Sequence, residues 1–195
     1  HARTAAEVFG LPLDEVSSEM RSRAKAVNFG IVYGISDYGL SKQLGISRNE
    51  AGQYIENYFK RYTGVKKYME EMVVKAKKDG YVSTLFGRRR YLPDINNSNF
   101  NLRSFAERTA INTPIQGTAA DVIKLAMIKV QKALVESGFK SRILLQVHDE
   151  LVLEVCAGEK EQVAGIVKDI MEKTVDLSVP LLADVAYGKN WAETK

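Results

Sequence analysis

Arg21-Ser22-Arg23-Ala24-Lys25-Ala26-Val27-Asn28-Phe29-Gly30-Ile31-Val32-Tyr33-Gly34 is the stretch around which the chain is organised. Arg21, Lys25, Phe29 and Tyr33 recur every fourth residue. In a helix that spacing stacks the four side chains on one slowly drifting stripe. The stripe would be about 18 Å long at the helical rise per residue. An apolar stripe would be a core face. One that runs cation, cation, ring, ring suits a ligand with phosphates at one end and a flat ring system at the other, as in a nucleoside triphosphate. The plainer alternative is an amphipathic helix with solvated cations and packed rings.

Far along the chain stands a second signal, Gln146-Val147-His148-Asp149-Glu150-Leu151-Val152-Leu153. Arg142–Val147 and Leu151–Val155 read as strands, with the polar residues at the tip of a hairpin. Successive strand side chains face opposite ways, so Asp149 and Glu150 are not expected to chelate one ion as an equal pair. A hard cation such as Mg2+ takes one or two carboxylates and completes its shell with phosphates and water. The alternative here is a polar turn, where Asp is common.

Outward from these two signals, composition sets bounds. The chain has 195 residues, 45% of them hydrophobic, a net charge of +4 and a pI near 9.0. Residues 60–90 hold ten Lys or Arg against Glu70, Glu71 and Asp79, a net +7 that could meet phosphates or serve as a solvated face. From Gln146 onward the chain is net acidic. Cys156 is the single cysteine, which excludes an intrachain disulfide and a thiolate metal site and suits a reducing, intracellular setting. No run approaches the roughly 18 apolar residues of a membrane span, and no leader peptide is evident.

The remaining elements follow from local chemistry. Ala2–Phe9 is a short helical run. Ser17 or Ser18 caps the key helix, and Gly34 stops it. Gly30 costs about 1 kcal/mol against Ala and is best tolerated where something approaches the backbone. Residues 36–59 read as helix, turn at Gly45, helix, with a capping box at Ser47 and Glu50. Their composition also resembles a helix-turn-helix DNA reader. Thr63 caps a helix ending at Gly80. Residues 81–85 and 88–92 form a hairpin around Phe86-Gly87. Residues 102–112 and 116–136 read as two helices, the second restarting after Pro114 and burying Val122, Leu125, Ala126, Ile128 and Ala133. Residues 159–174 read as an amphipathic helix and 183–187 as a last strand.

Together the two stretches resemble the bacterial DNA polymerase I family, the family A DNA polymerases. Arg21-x3-Lys25-x3-Phe29-x3-Tyr33-Gly34 is similar to the family's fingers helix, and Gln146-Val147-His148-Asp149-Glu150 to its palm hairpin. Between them Asn112-Thr113-Pro114-Ile115-Gln116-Gly117-Thr118-Ala119-Ala120-Asp121 matches a third signature in order and spacing. The resemblance implies an α+β fold: a helical fingers subdomain over residues 1–110 and the C-terminal part of an antiparallel-sheet palm over 111–195. It implies dNTP binding by His1, Arg21, Lys25, Phe29 and Tyr33, with Lys25 protonating the leaving pyrophosphate. It implies DNA contacts from Arg108, Asn112, Gln116 and His148, Asp149 as a Mg2+ ligand and catalytic residue, and Glu150 as accessory. Two-metal transfer needs a second Asp, which the family carries upstream of the fingers, and no such stretch is present here. The implied protein is therefore longer and cytoplasmic, nucleoid-associated, with primer-template DNA and dNTP as partners, and these residues alone are expected to be inactive. The rival functions are a non-catalytic DNA- or nucleotide-binding module and a helix-turn-helix regulator.

Overall fold

A computed structural model describes residues His1–Thr194. It is α+β, mostly helical with two small antiparallel hairpins. The chain falls into two units, His1–Ile115 and the residues from Gln116 onward.

The first unit opens with α1 (Ala2–Phe9) and α2 (Ser18–Val32). Ser17 caps α2, its hydroxyl accepting from the Met20 N–H at 3.2 Å. Ala24, Val27, Gly30 and Ile31 are the buried face of α2. The helix ends in a Schellman motif: the Gly34 N–H reaches the Ile31 carbonyl at 2.8 Å and the Ile35 N–H reaches the Gly30 carbonyl at 2.8 Å. Gly34 takes the left-handed conformation this needs, with φ 69°. The same motif explains Gly30, because a Cβ there would lie 2.8 Å from Cγ2 of Ile35.

Helices α3 (Asp37–Leu44) and α4 (Arg48–Arg61) follow, with Gly45 left-handed between them and Ser47 accepting from the Glu50 N–H at 3.1 Å. Arg48, at the start of α4, is held by Asp37 at 2.7 Å. Val27, Ile31, Leu40, Ala51 and Tyr58 form the core that α2, α3 and α4 share. The next helix, α5 (Thr63–Asp79), begins one residue earlier than a Thr63 cap requires: Thr63 is already helical and Tyr62 stands at the cap position without a side-chain capping bond. Gly80 ends it. The hairpin β1 (Tyr81–Ser83) and β2 (Arg89–Tyr91) packs Val82 and Leu92 with Ala76 of α5 and Ala106 and Ala110 of the following helix.

That following helix, α6 (Phe100–Glu136), is one element where the sequence suggested two. Pro114 lies inside it. A proline removes a helical donor and pushes against the carbonyl four residues back, loosening the turn before it. On that loosened turn Tyr68 of α5 donates its hydroxyl to the Ile111 carbonyl at 3.0 Å. That bond ties α5 to the turn just before the proline, and the helix continues through Pro114.

In the second unit α6 buries Ile123, Ala126, Val130 and Leu134. Of the positions expected from sequence only Ala126 is fully buried, and Ile128 is 63% exposed, because the expected set straddled the stripe instead of following one 3.6-residue period. Strands β3 (Arg142–Val147) and β4 (Glu150–Glu154) pair with a bulge at Leu144. Their inner residues Ile143, Leu151 and Leu153 pack with Val130, Leu134 and, from α7 (Lys160–Glu172), Val163 and Val167. Residues 183–187 are not a strand. Alternation alone does not make one without a partner row of backbone groups. Here Ala183 donates its N–H to Glu172, and Tyr187 stacks under Lys160 at 4.0 Å.

Candidate functional site

The stripe on α2 faces away from the core. Arg21 and Lys25 are exposed, and Phe29 and Tyr33 are each 47% exposed, so the rings are not buried as the plainer alternative required. The two rings lie nearly parallel, 15° apart with centroids at 6.5 Å. Lys25 Nζ sits 6.0 Å from the Phe29 centroid. The His1 ring also approaches Phe29, to 5.7 Å at 48°. Tyr33 is the last residue before the Schellman glycine, so the helix stop fixes where its ring stands.

His1 is the residue on which α1 starts, and α1 is anchored by a carboxylate. Glu7 accepts from Arg61 at 3.2 Å, from the Tyr62 hydroxyl at 2.5 Å and from Arg3 at 3.2 Å. The Arg61 and Tyr62 hydrogen bonds lead the causes that hold the Glu7 carboxyl down to about 2. At the other end of α1, Asn28 donates to Thr4 Oγ1 at 3.1 Å and lies 3.0 Å from His1 Nδ1. None of Glu7, Arg61, Tyr62, Thr4 and Asn28 stood out in the sequence. Asn28 is adjacent to Phe29, but its partners lie 24 and 27 residues away.

Arg108 of α6 lies against the end of α2. A Cβ on Gly34 would meet its Cγ at 2.7 Å, and its guanidinium donates to Ser104 at 2.8 Å. Asn112, one turn on, turns inward: its Oδ1 is enclosed with no hydrogen-bond partner among the described residues. The basic run of residues 60–90 is softer than its count. Lys60 pairs with Glu56, Lys66 with Glu70, Lys67 with Glu71 and Lys77 with Glu107. What stays concentrated is the exposed Arg88-Arg89-Arg90, where Arg89 stacks over Tyr81 at 4.8 Å.

In the second unit His148 and Asp149 form the two-residue turn between β3 and β4, and Val147 pairs with Glu150. His148 has φ 53°, which costs a residue with a Cβ on the order of 1–3 kcal/mol. Gln146 Nε2 donates to the His148 carbonyl at 2.6 Å across the turn. His148, Asp149 and Glu150 are all exposed. The base of the hairpin is tied by Glu159, which accepts from the Lys140 and Ser141 backbone and from the Ser141 hydroxyl; these bonds, the Lys140 one foremost, hold its pKa below the ordinary carboxylate value. Among the described residues no three His, Cys, Asp or Glu side chains gather as a metal cluster. Asp149 offers a hard oxygen donor of the kind Mg2+ prefers, but only as one member of a larger ligand set. Gln116 is exposed and lies in this second unit, whereas Arg108 and Asn112 lie in the first.

The sequence and the fold were compared with known proteins. DNA polymerase I of Streptococcus pneumoniae serotype 4 is 58% identical over 196 residues, taking in 100% of this chain and 22% of that protein. DNA polymerase I of Bacillus caldotenax is 56% identical over 195 residues, with 100% and 22% covered. The chain thus spans 22% of the length of these curated relatives. Among solved structures, the POL domain of Pol1 from M. smegmatis, in complex with DNA primer-template and dNTP, matches with a TM-score of 0.96 at 49% identity. It covers 100% of this chain and 34% of that one. The family model for DNA polymerase family A matches residues 1–193, and by that match, which takes in both the α2 stripe and the β3–β4 hairpin, the chain belongs to the family A DNA polymerases.

Proposed function

We propose that these residues are part of a longer DNA polymerase that extends a primer along a template. Residues 1–110 are mainly its fingers and 111–195 the later part of its palm. The observation that carries this is the α2 stripe: two cations and two parallel rings held in the open, where burial would have been the cheaper fate of the rings. Family membership and the likeness to a POL domain bound to DNA primer-template and dNTP support the same reading.

In this reading His1, Arg21 and Lys25 receive the triphosphate, Phe29 lies against the sugar and base, and Tyr33 guards the position of the templating base. Arg108, Asn112 and Gln116 follow the DNA, and His148 meets the primer terminus. Minor-groove acceptors occur at every base pair, so polar side chains there can test pair geometry without reading sequence. The primer 3′ oxygen forms a bond to the α-phosphorus of the dNTP, and the bond from that phosphorus to the bridging oxygen breaks. Pyrophosphate leaves with a proton from Lys25, and the proton of the primer hydroxyl passes to solvent. Asp149, supported by Glu150, would hold Mg2+, which in two-metal transfer stabilises charge on the attacking and leaving oxygens. The other ligands are phosphates, water and a second carboxylate from outside these 195 residues, so the residues alone give no template-directed synthesis. Such a protein works in the cytoplasm at the nucleoid. No helix among the described residues is long and apolar enough to cross a membrane.

The test is Lys25→Ala in the full-length polymerase. Turnover should fall at least about 10²-fold, the scale of a lost general acid. Steady-state rates within a few-fold of wild type would remove Lys25 from the chemistry.

A further inference from the structure

We propose that Asn28 is a positioning residue that sets the tautomer of His1, so that the ring turns an Nε2–H donor, not a lone pair, toward the bound nucleotide. This rests on reading the α2 stripe as a nucleotide site. The Asn28 amide nitrogen has two hydrogens. One is directed at Thr4 Oγ1, 3.1 Å away, and the other at His1 Nδ1, 3.0 Å away. An NH2 group has no lone pair to offer, so Nδ1 must be the acceptor. The proton of the neutral ring is then on Nε2. The ring stands beside Phe29, on which Lys25 also converges, so Nε2–H joins the donors available to a polyanion there. With the opposite tautomer Nε2 would present a lone pair, which repels phosphate oxygens. Asn28 is half-buried, one position before the exposed Phe29, and its two partners belong to the start of α1. Among its described contacts the one that leads to the site is His1.

The experiment is a double-mutant cycle in the full-length polymerase, with primer extension read as KM for dNTP and kcat. Asn28→Ala should raise KM about 3- to 10-fold, the scale of one lost orienting hydrogen bond, with a smaller change in kcat. In a His1→Ala background the same substitution should change KM by less than about twofold. Thr4→Ala, which removes the anchoring bond and keeps the bond to His1, should leave KM within about twofold. In protein labelled with ¹⁵N-histidine, the His1 signals, identified by their loss in His1→Ala, should place the proton on Nε2. Equal effects of Asn28→Ala in both backgrounds mean a merely structural role and overturn the proposal. So does a proton on Nδ1, the arrangement expected if the amide faces the ring with its oxygen. Either result, with normal extension by wild type, leaves the polymerase reading intact. A wild-type protein that does not extend primers overturns both.

Discussion

Replacing Gly34 by Ala separates two costs that the end of α2 combines. The first is conformational. Gly34 sits at φ 69°, where a Cβ costs about 1–2 kcal/mol. The second is steric. The new Cβ would lie 2.7 Å from Cγ and 3.3 Å from Cδ of Arg108. Relieving such a contact means moving the arginine stem, and overpacking of this kind costs about 1–3 kcal/mol. Gly45 supplies the control, because it has φ 66° and nothing within 4 Å of its Cβ position. Gly45→Ala should therefore cost only the first amount and Gly34→Ala the sum, about 2–5 kcal/mol. Arg108→Ala in the Gly34→Ala background should return the steric part. Hydrogen exchange of the Ile35 amide, bonded to the Gly30 carbonyl, and of the Ile46 amide, bonded to the Ser41 carbonyl, reads the opening of each helix end directly and avoids the multi-step unfolding of a large protein. If Gly34→Ala costs no more than Gly45→Ala, the approach of Arg108 is not what constrains the position, and the account of this helix stop fails.

Three other perturbations reach different parts of the molecule. Phe29 carries no hydroxyl to stand in for a missing sugar 3′-OH, so Phe29→Tyr should relax discrimination against dideoxynucleotides while sparing normal extension; an unchanged ratio of dideoxy to deoxy incorporation counts against Phe29 beside the sugar. Asp149→Asn keeps shape and removes charge, so extension should collapse while primer-template binding, followed by fluorescence anisotropy, survives; joint loss would make Asp149 a structural turn residue. Glu7 has its folded value lowered to about 2 from the ordinary 4.5, so its stabilisation of α1 is full above about pH 4.5 and is lost as the pH falls through about 2. Amide protection in α1 should decline across that window in wild type and stay flat in Glu7→Gln, and identical profiles would show that the Arg61 and Tyr62 bonds do not hold the helix.

What the sequence disclosed was whatever local chemistry or helical spacing controls. The stripe is legible because α2 has its core face, Ala24, Val27 and Ile31, on the opposite side. The caps at Ser17 and Ser47 and the β3–β4 hairpin are legible because each is settled within a few residues. The continuity of α6 was not, since a proline ordinarily marks a helix boundary and the tie from Tyr68 to the turn before it comes from 43 residues away. The bulge at Leu144 breaks the alternation from which strands are read. The surroundings of His1 were hidden for the same reason as the proline's: the Asn28 contact spans 27 residues and the Glu7–Arg61 contact 54.

That last separation bears on what holds α1 in place. Eight residues gain little from their own helical bonds in water, so α1 rests on what it docks against. Its carboxylate clamp closes over 54 residues, and the closure entropy must be met before the contact returns anything. The elements it docks on, α2 and α4, are longer and share a core with α3 that does not need α1. Within this unit α1 is accordingly the helix that leans most on contacts distant in sequence. His1 stands at its start, so the proposed nucleotide site depends on those distant contacts. A bound nucleotide that engages His1 would in turn slow the release of α1, joining substrate occupancy to the persistence of that helix.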